Sequence, residues 1–146
     1  MIIINEIIYK QLIDYVHESA KEDYEIIASK YWPGALTMVV PVSEKKTSIL
    51  TSNDLTLGLR IPNSYMAQSL MRETGPLLTS SANISGFKGS TTFESIALDF
   101  PSVKILGPIP WGKSSGKAST IIFWKKCGDW RLIREGEVLV LSLIHI

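Results

Sequence analysis

A chain of 146 residues is long enough for one domain, and 45% hydrophobic with 20% charged residues is a globular rather than a disordered composition. No apolar run reaches the roughly 18–20 residues of a membrane span, and MIIINEIIYKQL is interrupted by Glu6 and Lys10 with no positive segment before it, so it does not read as a signal peptide. One cysteine, Cys127, excludes an internal disulfide and a cysteine metal cluster and fits a reducing, cytoplasmic location.

The net charge of +1 exerts no global pull toward nucleic acid, but it is unevenly spread. Residues 1–30 hold three lysines against six acids. Residues 101–136 hold seven basic side chains (Lys104, Lys113, Lys117, Lys125, Lys126, Arg131, Arg134) against Asp129 and Glu135. A basic last third suits an anionic ligand, although a solvated face gives the same pattern.

In chain order, residues 5–31 space their apolar side chains helically (Ile8, Leu12, Tyr15, Val16, then Tyr24, Ile27, Ala28, Tyr31) until Pro33-Gly34. This predicts two helices, or one broken near Ser19–Glu22. ALTMVVPV (35–42) is a continuous apolar run, expected as a buried strand, and TLGLRIP (56–62) as a second strand closed by proline. Asn63 or Ser64 can cap a helix over SYMAQSLMRET that Gly75 ends. PLLTSS is expected as a strand, followed by the loop ANISGFKGS. Thr91-Thr92-Phe93-Glu94 has capping-box spacing, with Thr91 as the cap, and opens a short helix ESIALDF (94–100) that ends before Pro101. SVKILG, ASTIIFW and WRLIREG read as three more strands. This order predicts a single α/β domain with a mixed sheet.

Two motif matches fail on their chemistry. GPIPWGKS (107–114) satisfies the phosphate-loop pattern, but Pro108 and Pro110 remove two of the backbone N–H groups that would cradle phosphates, and no helix is expected after Lys113. GKSSG (112–116) fits a nucleophile elbow, yet it leads into a strand rather than a helix, and the only histidines are His17 and His145. No pair of residues is spaced as metal ligands. Asn83-Ile84-Ser85 matches a glycosylation acceptor, without a secretory signal to make it one.

LLTSSANISG (77–86) asks for more explanation. A turn with Asn83 in a left-handed conformation accounts for the Asn and the Gly but not for the paired serines. A strand ending in Ser-Ser-Ala-Asn presents hydroxyls, an amide and unpaired N–H groups where open α/β sheets bind ligands.

YWPGALTMVVPV (31–42), TLGLRIPNS (56–64) and LLTSSANISG, in this order, together resemble the YrdC-like family of threonylcarbamoyl-AMP synthases, whose patterns run WPGPLT, tvGvRvP and SANxSG. KASTIIFW and WRLIREG are similar to that family's STV strand and its final R-x-G strand, so the resemblance runs from about residue 2 to residue 138. It implies a twisted open mixed sheet with flanking helices and a concave cleft. It also implies an enzyme that turns threonine, bicarbonate and ATP, with Mg²⁺, into threonylcarbamoyl-AMP and pyrophosphate for tRNA modification.

Carried over by position, Arg60, Ser81 and Ser119 would bind threonine, and Thr56, Asn83, Thr91 and Arg134 would bind ATP. No residue is assigned a covalent or metal-binding role. Trp32-Pro33-Gly34 is expected to be a structural turn. The family's PTxTxYGL strand and K-x-R segment have no counterpart before MIII, so residues 1–140 are expected to form a domain lacking its first strands, and 141–146 an unmatched tail. Two other functions compete. One is a non-catalytic module for tRNA or double-stranded RNA, weakened by the even net charge and the lack of an aromatic RNA-stacking motif. The other is a carbamoyl-transfer module like that of hydrogenase maturation proteins, whose zinc-finger and acylphosphatase segments have no counterpart here.

Overall fold

The computed structural model of the chain describes residues 10–49, 55–80, 82, 86, 90, 92–106 and 115–139. These fall in two compact units, one of residues 1–77 with 118–146, the other of residues 78–117.

The first unit is built on one sheet. Residues 10–13 are helical, and the chain then leaves the helix because its backbone finds other partners. Val16 bridges Val42, the His17 N–H donates to the Pro41 carbonyl at 2.9 Å, and the Ser43 N–H donates to the Tyr15 carbonyl at 2.8 Å. The helical pattern is therefore broken, as expected, but from residue 14 onward, through a short 3-10 turn at Glu18–Ala20 that the His17 side chain caps. Helix α1 (Lys21–Tyr31) follows, with Glu22 and Asp23 in its first turn and Lys30 in its last, which suits its dipole. It buries Tyr24, Ile27 and Ala28, spaced three and four apart on one face.

α1 stops at Trp32, which is extended, and Trp32-Pro33-Gly34 turns the chain into the first strand. The Trp32 indole donates to the Leu36 carbonyl at 2.7 Å, and its ring stands edge-on to Tyr24 with centroids 5.6 Å apart. Gly34 is required sterically, because a Cβ there would sit 2.3 Å from the Tyr31 carbonyl oxygen.

Strand β1 (Leu36–Pro41) alternates buried and half-buried residues, so its two faces differ. It pairs antiparallel with β2 (Thr56–Leu59) and parallel with β3 (Thr120–Lys126), which pairs antiparallel with β4 (Asp129–Arg134). The spatial order β2-β1-β3-β4 is the expected mixed sheet. Leu36, Met38 and Val40 of β1, Leu59 of β2 and Ile122 of β3 form the core with α1, Leu12 and Val16. Asp23 ties the helix to the β3–β4 hairpin, its carboxylate accepting from the Trp124 indole at 2.7 Å and the Gly128 N–H at 2.9 Å. Gly128 supplies the positive φ (69°) the hairpin turn needs. Helix α2 (Tyr65–Thr74) has Ser64 as its cap, accepting from the Ala67 N–H, and ends at Gly75 with φ 78°.

Two expected strands do not form. Residues 76–80 have no ladder partner among the described residues, and Leu77 and Leu78 stand 46% and 77% exposed. Residues 101–106 likewise make turn and irregular backbone, with Val103 and Leu106 exposed. Both are apolar runs, but a strand needs a neighbouring strand to satisfy its backbone, and these lack one among the described residues.

In the second unit, α3 (Phe93–Asp99) covers the expected helix, shifted by one residue toward the N-terminus. Its cap is Thr92, not Thr91: the Thr92 hydroxyl accepts from the Ser95 N–H at 3.3 Å, completing the cap with a serine rather than with Glu94. Ser90 donates to Asp99 at 3.0 Å, joining the two ends of this helix segment.

Candidate functional site

A group of polar side chains of the first unit lies on the sheet face opposite α1. Alternation puts Thr37 and Val39 of β1 there, beside Ile121 and Phe123 of β3. On β2 the same face carries Thr56 and Gly58, and Arg60 continues the series just past the strand. A Cβ on Gly58 would touch Thr37 and Val39 at 3.6 and 3.9 Å, which confirms the shared face.

At one end of this face three sequence-predicted residues come together. The Arg60 Nε donates to the Gly34 carbonyl at 2.9 Å, which fixes the plane of the guanidinium. No other hydrogen bond or ion pair of Arg60 occurs among the described residues, so its two terminal nitrogens are presented as a parallel pair. Burial lowers the Arg60 pKa from the ordinary arginine value, and the positive charge of Arg134 adds to this while Glu137 opposes it. Two guanidinium groups thus lie within electrostatic reach of each other, with one carboxylate nearby. A partly desolvated cation gains from an anionic partner, and Glu137 supplies part of that, its pull on Arg60 exceeding the push of Arg134.

Arg134 is held from below. Its Nε and one terminal nitrogen donate to the Ser119 carbonyl at 3.0 and 2.8 Å, and that same nitrogen donates to the Ser119 hydroxyl at 3.1 Å. The Ser119 hydroxyl also bonds the Thr37 hydroxyl at 3.0 Å, across strands that are 82 residues apart in sequence. Ser119 is only 9% exposed, so its hydroxyl is a positioned group rather than a solvated one.

The backbone that carries Arg134 and Glu137 crosses close over the start of β3. A Cβ on Gly136 would lie 2.3 Å from the Ala118 carbonyl oxygen and 2.4 Å from the Thr120 nitrogen, so only glycine fits. The fully buried Thr120 fixes the crossing, donating to the Val138 carbonyl at 2.7 Å and accepting its N–H at 3.1 Å. That accounts for the R-x-G spacing as a close backbone approach.

Thr56 is placed differently. It pairs with Pro41 at the far end of β2, about 13 Å from Arg60 along the strand, although on the same face. Ser81, Asn83 and Thr91 lie outside the described residues, as does GPIPWGKS. Residues 115–119 are irregular and lead straight into β3, so no helix follows the GKSSG match.

The sequence reading missed Thr37, the Gly34 carbonyl and Glu137. Alternation in ALTMVVPV would have set Thr37 apart from its apolar neighbours, but nothing local announces that Ser119 is its partner. Among the described residues no group of three or more His, Cys, Asp or Glu could hold a metal ion. Near the other end of β1 a cleft of about 580 Å³ is lined by His17, Lys21, Lys45, Lys46 and the acids Asp14, Glu18 and Glu44. Its charges balance in part, with Lys21 and Glu18 paired at 2.7 Å. No described helix is long and apolar enough to cross a membrane.

The chain has counterparts among known proteins. The Sua5/yciO/yrdC family model, described as "Telomere recombination", matches residues 5–136. The chain is 33% identical over 138 residues to the threonylcarbamoyl-AMP synthase of Bacillus subtilis, covering 87% of this chain and 39% of that protein. It is 36% identical over 97 residues to the threonylcarbamoyl-AMP synthase of Yersinia enterocolitica, covering 64% of this chain and 50% of that one. The structure of Pyrococcus abyssi Sua5 complexed with L-threonine superimposes with a TM-score of 0.76 at 30% identity, over 91% of this chain and 39% of that one. The chain belongs to the Sua5/yciO/yrdC family. It spans half or less of the length of each of these relatives.

Proposed function

We propose that this chain carries the substrate-binding sheet of a threonylcarbamoyl-AMP synthase, in which Arg60 receives the threonine carboxylate. The observation that carries the reading is the Arg60 guanidinium. Its Nε is committed to the Gly34 carbonyl and its terminal nitrogens are left as a pair, near Arg134, which holds the Ser119 hydroxyl. A planar pair of N–H donors matches a carboxylate bidentately. The named relatives and the threonine-bound neighbour support the same substrate class.

In this reaction the threonine amine adds to bicarbonate and water leaves, giving a carbamate. A carbamate oxygen then forms a bond to the α-phosphorus of ATP while the bond from that phosphorus to the bridging oxygen breaks, and pyrophosphate departs with the electron pair. The chain's own residues bind and orient. Arg60 holds the carboxylate, Ser119 meets another polar group of threonine, and the charge of Arg134 favours the polyanionic nucleotide. Mg²⁺ enters with ATP as part of that substrate. The family resemblance assigns Thr56, Asn83 and Thr91 to the nucleotide and Ser81 to threonine. The product serves modification of adenosine in tRNA, in the cytoplasm.

Simple RNA binding is the weaker reading, because Arg60 and Arg134 donate to local carbonyls rather than projecting as a row of phosphate-contacting cations. The test is threonine titration by calorimetry together with pyrophosphate release in the presence of threonine, bicarbonate, Mg²⁺ and ATP. Threonine binding that Arg60→Ala weakens by about tenfold or more supports the reading. Binding of tRNA that weakens steeply with salt, with no threonine binding at all, overturns it.

A further inference from the structure

We infer that Thr37 is a positioning residue of the site: its hydroxyl takes up one hydrogen-bond position of the Ser119 hydroxyl and leaves a single position for the amino-acid substrate. The inference rests on the proposed threonine site and adds a residue to it.

The hydrogen-bond capacity of Ser119 can be counted. A serine hydroxyl offers one donor and two acceptor positions. A guanidinium nitrogen only donates, so the 3.1 Å contact from Arg134 fills one acceptor position of Ser119. The 3.0 Å contact with Thr37 fills a second position, whichever oxygen supplies the proton. One position remains. If Thr37 donates, Ser119 keeps its proton for an acceptor on the substrate. If Ser119 donates, it keeps a lone pair for a substrate N–H or O–H.

Without Thr37, two positions would be open and the side chain could turn about its Cα–Cβ bond under the hold of Arg134 alone. Thr37 can do this because β1 and β3 are parallel neighbours, in the register Thr37 to Ile121, which sets Ser119 just ahead of β3 on the same face. Thr120, next in sequence, faces the core and is fully buried, so the Ser119 backbone is anchored and only its side chain can turn.

The test uses the whole chain, with Thr37→Val as the near-isosteric variant without the hydroxyl and Thr37→Ser as the conservative one. Two quantities are read: the Hα–Hβ coupling constants of Ser119 by NMR, which report its rotamer, and the threonine affinity by calorimetry. Thr37→Val is expected to average the Ser119 couplings and weaken threonine binding about three- to tenfold, the factor that one neutral hydrogen bond represents. Thr37→Ser is expected to restore both, and a merely space-filling Thr37 would give the opposite ranking of the two variants. Unchanged couplings and affinity in Thr37→Val overturn the role of Thr37 while leaving the threonine site standing. A wild-type chain that binds no threonine overturns the functional reading, and this inference with it.

Discussion

The two faces of β1 make opposite use of neighbouring residues. Leu36, Met38 and Val40 point into the core against α1, and each is fully buried. Thr37 and Val39, one step away along the same strand, are half-buried on the other face, where Thr37 meets Ser119. The core face is held by non-directional apolar contact and tolerates imprecise geometry. The polar face works by directional bonds, in which a hydroxyl or guanidinium displaced by an ångström loses its partner. A single strand thus separates what the fold needs from what the ligand needs.

The sharpest way to break this comparison is to cross the two faces. Met38→Ala removes a fully buried core side chain and is expected to cost about 2–5 kcal/mol of stability in a denaturant melt. The fraction that stays folded should bind threonine with unchanged affinity. If affinity fell with stability, the two faces would not be separable.

Arg60→Ala is the mirror experiment. Its guanidinium is on the polar face and bonds only the Gly34 carbonyl among described residues, so the melt should shift little. Threonine binding should weaken by about 1.5–3 kcal/mol, the worth of a charge-assisted contact, as read by calorimetry. A large loss of stability with intact threonine binding would move Arg60 from the site to the scaffold.

Asp23→Asn sharpens the comparison on the core side. The carboxylate accepts from the Trp124 indole and the Gly128 N–H, and the amide retains one weaker acceptor oxygen. The expected cost is about 1 kcal/mol, the difference between a charged and a neutral acceptor, with no change in threonine affinity.

Glu18 is expected to show the smallest effect. Its pKa lies below the ordinary 4.5 because Lys21 bonds its carboxylate and lies close in charge. A depressed carboxylate pKa contributes stability above the unfolded value and loses it as pH falls through the folded one. Glu18 is fully exposed, so solvent screens this pair. Wild type and Glu18→Gln should melt alike at neutral pH, and any small difference should vanish as the pH drops below 4.5. A persistent difference in acid would mean that Glu18 acts through something other than Lys21.

Much of the first unit was legible in its residues. Period-two burial in LTMVVP, the cap at Ser64, the stop at Gly75 and the Pro-Gly end of α1 are local signals, and each element lies within a few residues of its expected place. The expected strands at PLLTSS and SVKILG were misjudged because an apolar run shows only that a segment avoids water, not that a neighbour exists to pair with it. The cap of α3 was off by one because two threonines stand side by side and either could accept the first N–H groups; the bond to Ser95 chose Thr92.

By itself the sequence determined which chemistry this chain can carry. A guanidinium at 60, a serine at 119 and an arginine two residues before Gly136 were visible as residue types, and the ordered motifs identified their family. Tertiary structure alone decided which of them meet. The parallel pairing of β1 with β3 sets Thr37 beside Ser119 across 82 residues, and the close crossing at Gly136 returns Arg134 and Glu137 to the same end of the sheet. It also set Thr56 at the far end of β2 from Arg60. Register and crossing are settled by packing the whole sheet against α1, so the residues that share a site need share nothing in local sequence.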